Sequence, residues 1–86
     1  MKIVRINAMW CSACISMYKI WQEIEKKYPE IEIISYDFDL DEECVKEYNV
    51  GDILPVACFY KDGKEITRLI GEKKLEDIIN TIDRIK

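Results

Sequence analysis

The opening run KIVRI, Lys2 to Ile6, is short and β-branched and reads as a strand. After Asn7 and Ala8 the period changes. Cys14, Met17, Trp21, Ile24 and Tyr28 recur every three or four residues, while Gln22, Glu23, Glu25, Lys26 and Lys27 fall largely off that face. This predicts one helix from about Cys11 or Ser12 to Lys27, ended by Pro29, which lacks an amide and clashes with the preceding turn. IEIISYDF is nearly continuously apolar and predicts a strand covered on both faces. DLDEECVKEYNV then predicts a short helix capped by Asp39 or Asp41, with Cys44, Val45 and Tyr48 as its buried stripe. VGDILP is a connection, VACFY a third strand, and KDG a glycine-containing turn leading into a fourth strand, KEITRLI. Beyond Gly71, the residues Leu75, Ile78, Ile79, Ile82 and Ile85 form the apolar stripe of a last helix. Glu72 near its start and Arg84 and Lys86 at its end suit the helix dipole. The order β-α-β-α-β-β-α predicts an α/β fold: a mixed four-stranded sheet flanked by three helices. Strands joined through helices should lie parallel to their spatial neighbours and the last two antiparallel.

With 86 residues, the chain has room for one domain, 1–86, with a folded surface of roughly 5,300 Å². Its composition, 49 % apolar and 35 % charged, is that of a folded protein. Thirteen basic residues are scattered among seventeen acidic ones, so no basic groove with stacking aromatics presents itself for nucleic acid. MKIVRINAMW is too short in its apolar stretch, and too interrupted by Arg5 and Asn7, for a signal peptide, and no run is long enough to span a membrane. The expectation is a cytoplasmic monomer without a membrane partner. The absence of histidine excludes imidazole ligands, histidine bases and a histidine pH switch.

The chemistry then rests on four cysteines, Cys11, Cys14, Cys44 and Cys58. Cys11 stands where a strand gives way to a helix, and the free amides of a first helical turn favour a thiolate there. Cys14 follows one turn later, within reach of the same sulfur. Such a pair can exchange disulfides: Cys11 attacks a substrate disulfide, and Cys14 then attacks Cys11 to release the reduced substrate. Two other readings stand beside this one. CxxC is also half of many zinc sites, although no second close pair is present. Free cysteines are also common as small core residues. Cys44 is expected on the buried face of the second helix, and Cys58 in sheet packing with Val56 and Tyr60.

WCSAC at residues 10 to 14, YNVGDILP leading into Pro55, VACFYKDGKEI and Gly71 before the last helix together resemble the thioredoxin-like proteins, over almost the whole chain. The resemblance implies a thiol-disulfide oxidoreductase acting on protein disulfides or dithiols without an organic cofactor. Cys11 would be the attacking thiol and Cys14 the resolving thiol. Pro55 would be cis and face them, and the backbone of Leu54 would hold an extended substrate segment. Trp10 would form an apolar platform, with Met9, Ile53 and Leu54 completing an exposed rim, whereas Trp21 belongs by helical phase to the core. A reductase or a small thiol would restore the pair. The glutaredoxin branch shares the size and element order, but this chain lacks a tyrosine between the cysteines and a clear basic set for glutathione. A binding module that keeps only the fold's peptide groove is the non-enzymatic alternative.

The chain also departs from the family pattern. Ser12-Ala13 replaces the familiar Gly-Pro between the cysteines, so the redox potential does not carry over. Arg5 stands where larger relatives often bury an aspartate, and is expected in solvent. Lys19 occupies a position where many relatives kink the helix with proline, so a straighter helix is expected, with Lys19 in water.

Overall fold

A computed structural model describes all 86 residues, Met1–Lys86. The strands are β1 (Lys2–Asn7), β2 (Glu32–Asp37), β3 (Val56–Lys61) and β4 (Lys64–Ile70). The helices are α1 (Ser12–Ser16), α2 (Tyr18–Lys27), α3 (Glu42–Lys46) and α4 (Leu75–Ile85). They build the expected mixed sheet, in the order β2-β1-β3-β4. Four helices replace the expected three because the first helical stretch divides at Met17, although it contains no proline. Glu72 precedes α4 rather than opening it. The helix starts where the Asp77 carboxylate accepts the Lys74 amide at 3.2 Å.

β1 is parallel to β2, and β3 is antiparallel to both β1 and β4. The β1–β3 pairing corrects the expectation that helix-linked strands lie parallel to their neighbours. The connection that carries α3 leaves β2 and enters β3 at the same end of the sheet, where β1 also ends. β2 is an edge strand with half-buried and exposed positions, not a strand covered on both faces; its apolar residues are shared between two partly open faces. The KDG turn is as tight as its residues suggest. Asp62 and Gly63 both have positive φ, and Lys61 pairs directly with Lys64.

Alternation along β1 sends Ile3 to one apolar layer and Val4 and Ile6 to the other. The first layer joins Ile3 and Phe59 to Met17, Trp21, Ile24 and Tyr28 from the first helical stretch and to Ile78 and Ile82 of α4. The second joins Val4, Ile6, Val56 and Cys58 to Val45 of α3 and to Cys11, Cys14 and Leu54. Tyr28 also donates its hydroxyl to Asp83 at 3.0 Å, tying the end of α2 to α4. No helix is long and apolar enough to cross a membrane.

Truncating Ile78, which is wholly buried, to alanine should cost about 2–5 kcal/mol in urea unfolding. Truncating the exposed Ile66 should cost less than about 0.5 kcal/mol. Equal effects of I78A and I66A would contradict the two-layer core.

Candidate active site

Three loops meet at the edge where β1 and β2 end and β3 begins. The Phe38 amide donates to the Asn7 carbonyl at 2.7 Å, prolonging the β1–β2 pairing by one step, and the chain then turns through buried Ala8 to Met9 and Trp10 at the surface. Cys11 follows with extended backbone and caps α1 through its sulfur, which accepts the Cys14 amide at 3.2 Å. A sulfur thus fills the capping role usually taken by a serine or aspartate oxygen.

Cys11 and Cys14 are each only 7 % exposed, and both are free thiols, as are Cys44 and Cys58. Burial, and then hydrogen bonding with Cys11, push the Cys14 thiol up to about 11, against an opposing backbone hydrogen bond at Ala8. At neutral pH Cys14 therefore holds its proton while the amide donor is directed at Cys11. Cys58 is wholly buried, and burial raises its thiol too. Cys44 is exposed, which corrects its expected place in a buried stripe. α3 is little more than one turn long and directs Val45 inward, so its neighbour, rotated by about 100°, faces away. No three cysteine, aspartate or glutamate side chains gather into a candidate metal cluster.

Trp10 is exposed yet held in place. Its Nε1 donates to Asp39 Oδ2 at 2.7 Å, and its ring meets Phe38 edge-on at 6.3 Å between centroids. Asp39 is itself held by a loop closed on its own aspartates. Asp37 Oδ1 accepts the amides of Asp39 and Leu40, each at 2.9 Å, and Asp41 Oδ2 accepts the Asp37 amide at 2.8 Å. Sequence reasoning took Asp39 only as a possible helix cap and missed this contact with Trp10. The alternating aspartates of DFDLD, at the end of a strand, were the available sign of such a turn.

The Leu54–Pro55 peptide is cis, as the resemblance implies. Leu54 departs from the expected rim: its side chain is buried in the layer that contains Cys11 and Cys14, leaving Met9, Trp10 and Ile53 exposed. Ile53 stays at the surface while Leu54 turns into the interior, so the two do not share a face. Outside any strand, the Leu54 backbone groups make no main-chain hydrogen bond. Pro55 is buried, and its carbonyl accepts the Gly71 amide at 2.8 Å. It lines one small cavity together with Met17 and Trp21.

Arg5 overturns its expected place in solvent. It is 8 % exposed, with its guanidinium carbon 4.8 Å from the centre of the Trp21 ring and its Nε without a hydrogen-bond partner. Phase explains this: Arg5 follows Ile3 by two residues on β1 and points to the same layer, beneath α2. Burial lowers its affinity for its proton, opposed by the charges of Glu25, Cys14 and Tyr18. Lys19 lies in water as expected. The break beside it centres on Met17, whose ψ is −3° and whose sulfur accepts the Lys73 amide at 3.4 Å.

Replacing Asp39 by alanine should release Trp10, seen as stronger iodide quenching of the tryptophan fluorescence with a stability loss near 1 kcal/mol. Unchanged quenching would show that Asp39 does not restrain the ring. The raised Cys14 thiol also sets a sign for pH. Between its ordinary value and about 11 the folded chain keeps a proton that the unfolded chain releases, so reduced protein should lose stability as pH rises through that window. C14S should lose less over the same range, and an identical loss in both proteins would contradict the raised value.

The thioredoxin family model matches residues 1–84. A thioredoxin H-type of Oryza sativa subsp. indica is 34 % identical over 80 residues, covering 93 % of this chain and 64 % of the relative. Thioredoxin H-type 1 of Nicotiana tabacum is 35 % identical over 80 residues, covering 93 % and 62 %. The chain thus spans less than two thirds of the length of these plant relatives. The X-ray structure of Fasciola hepatica thioredoxin superposes with a TM-score of 0.88 at 32 % identity, covering 99 % of this chain and 80 % of that one. With this match along nearly all of its length, and with the same fold, the chain belongs to the thioredoxin family.

Proposed function

We propose that this chain is a thiol-disulfide oxidoreductase that exchanges disulfides with protein substrates through Cys11 and Cys14. The observation that carries the reading is the asymmetry of the pair. The sulfur of Cys11 receives an amide hydrogen bond at the head of α1, while Cys14, buried behind it, holds its proton. The Cys11 thiolate attacks one sulfur of a substrate disulfide, the S–S bond breaks, and the first substrate sulfur leaves as a thiolate that takes a proton from water. Cys14, once deprotonated, attacks Cys11 Sγ. The Cys11–Cys14 bond forms, and the second substrate sulfur leaves reduced. Two electrons have then passed to the substrate. A reductase protein or a small thiol returns them, and the reverse sequence oxidises a dithiol.

Recognition falls to the surface around Cys11. Met9, Trp10 and Ile53 offer exposed apolar area, and the free Leu54 backbone offers strand-like hydrogen bonds to an extended segment. Both features suit a polypeptide. A reducing compartment such as the cytoplasm suits a pair that must be returned to the dithiol form.

Equilibrium titration against glutathione and dithiothreitol buffers, read by mass for each cysteine pair, tests the proposal. The expected result is one reversible Cys11–Cys14 disulfide with Cys44 and Cys58 outside it. In an insulin reduction assay C11S should be inactive, and C14S should accumulate a mixed disulfide at Cys11. If no Cys11–Cys14 bond forms at any potential, the mechanism is lost and peptide binding without redox chemistry becomes the reading. Turnover with glutathione disulfide but not with insulin would move the assignment to glutaredoxin-like chemistry.

A further inference from the structure

Behind the cysteine pair lies an open groove of about 850 Å³, separate from the apolar rim formed by Met9, Trp10 and Ile53, although Met9 borders both. Arg5, Cys14, Tyr18, Lys19 and Asp37 are among its lining residues. Arg5 is the unusual member: a cation more than nine-tenths buried, stacked on Trp21, with an unpartnered Nε and no carboxylate in a salt bridge with it. Such a charge is costly to bury without a partner and gains most from an anion formed beside it. The lining of the groove supplies one group that becomes an anion during exchange, the sulfur of Cys14.

We propose that Arg5 is a positioning residue for the resolving step: held over Trp21 at the back of the groove, its guanidinium favours the Cys14 thiolate that displaces substrate from Cys11. The inference rests on the exchange mechanism proposed above. While Cys11 is itself a thiolate, two like charges oppose ionisation of Cys14. Once Cys11 is tied to substrate that charge is gone, and Arg5 remains as the buried cation of the groove. The proton of Cys14 then leaves through the groove to water. Cys14 attacks Cys11 Sγ, the bond between Cys11 and substrate breaks, and the electron pair departs on the substrate sulfur, which water reprotonates. No buried acid is required to take up the proton.

The charged and titratable groups around Cys14 are Cys11 on its own turn, Arg5 on β1, Tyr18 and Lys19 on α2, and Asp37 on β2. Cys58 on β3 lies in the same apolar layer. Of these, Cys11 disfavours the Cys14 thiolate and Arg5 favours it, the Arg5 charge acting less than burial and the hydrogen bonds with Cys11 and Ala8. Tyr18 and Lys19 are exposed, so water screens them.

Reaction with 5,5′-dithiobis(2-nitrobenzoate), with the exposed Cys44 replaced by serine in every protein compared, the wild type included, separates the two steps, because the first chromophore leaves on attack by Cys11 and the second on resolution by Cys14. In R5M the ratio of the second rate to the first should fall about tenfold at pH 7, and the pH profile of the second release should move about one unit alkaline. R5K, which restores a cation, should recover most of the ratio. R5Q, neutral but polar, should behave as R5M and provides the same reading if methionine prevents folding. An unchanged ratio in folded R5M or R5Q would overturn the role of Arg5, as would an equal loss in R5K. Failure of the underlying mechanism looks different: the wild-type protein itself would show no second release.

Discussion

The buried strand β1 is the constraint on which the other parts depend. Ile3, Val4 and Ile6 are completely shielded, with β2 and β3 on either side and apolar layers above and below. A strand enclosed in this way cannot slip by one residue without exchanging the two layers. Its last residue, Asn7, therefore fixes where the chain emerges, and Cys11 is placed by the three residues between them. The short α3 returns the chain to the same edge instead of carrying it across the sheet, so the aspartate loop and the segment leading into Pro55 arrive beside Cys11. The site results from strand ends meeting at one edge.

At that edge two chemically identical side chains become different. Cys11 turns its sulfur toward a backbone donor, and Cys14, equally buried one turn later, supplies that donor from its own amide. Neither environment requires a histidine, which the chain lacks. Backbone geometry sets the two sulfurs apart without help from the insert between them, Ser12-Ala13. Its side chains are not asked to supply charge.

Much of this was legible in the residues. Periodicity identified every strand, the amphipathic last helix and the core position of Trp21, because these depend on local burial patterns that a sequence displays directly. The spacing of Cys11 and Cys14 is short enough to read directly, and the cis peptide before Pro55 followed from the family resemblance. The failures share a different origin. The antiparallel entry of β3 depends on how the connection carrying α3 packs at one end of the sheet, which is a three-dimensional property. The division at Met17 depends on Lys73, far away in the chain. Arg5 looked like a solvated residue because its charge outweighed its phase, whereas strand alternation was the better guide. Cys44 failed for the opposite reason, since a stripe was read into a helix too short to have one.

The segment joining β4 to α4 has a consequence for the order in which the site can come into being. Gly71 reaches back to the carbonyl of Pro55, and Lys73 to the sulfur of Met17, so the last stretch of chain is latched onto the elements that carry both thiols. A polypeptide that ends before Gly71 contains both cysteines, the tryptophan platform and the proline, but lacks the clasp that holds them in register. In a chain emerging vectorially during synthesis, that clasp is the last tie to arrive, so the loops at this end of the sheet are fastened only once Gly71 and Lys73 have emerged.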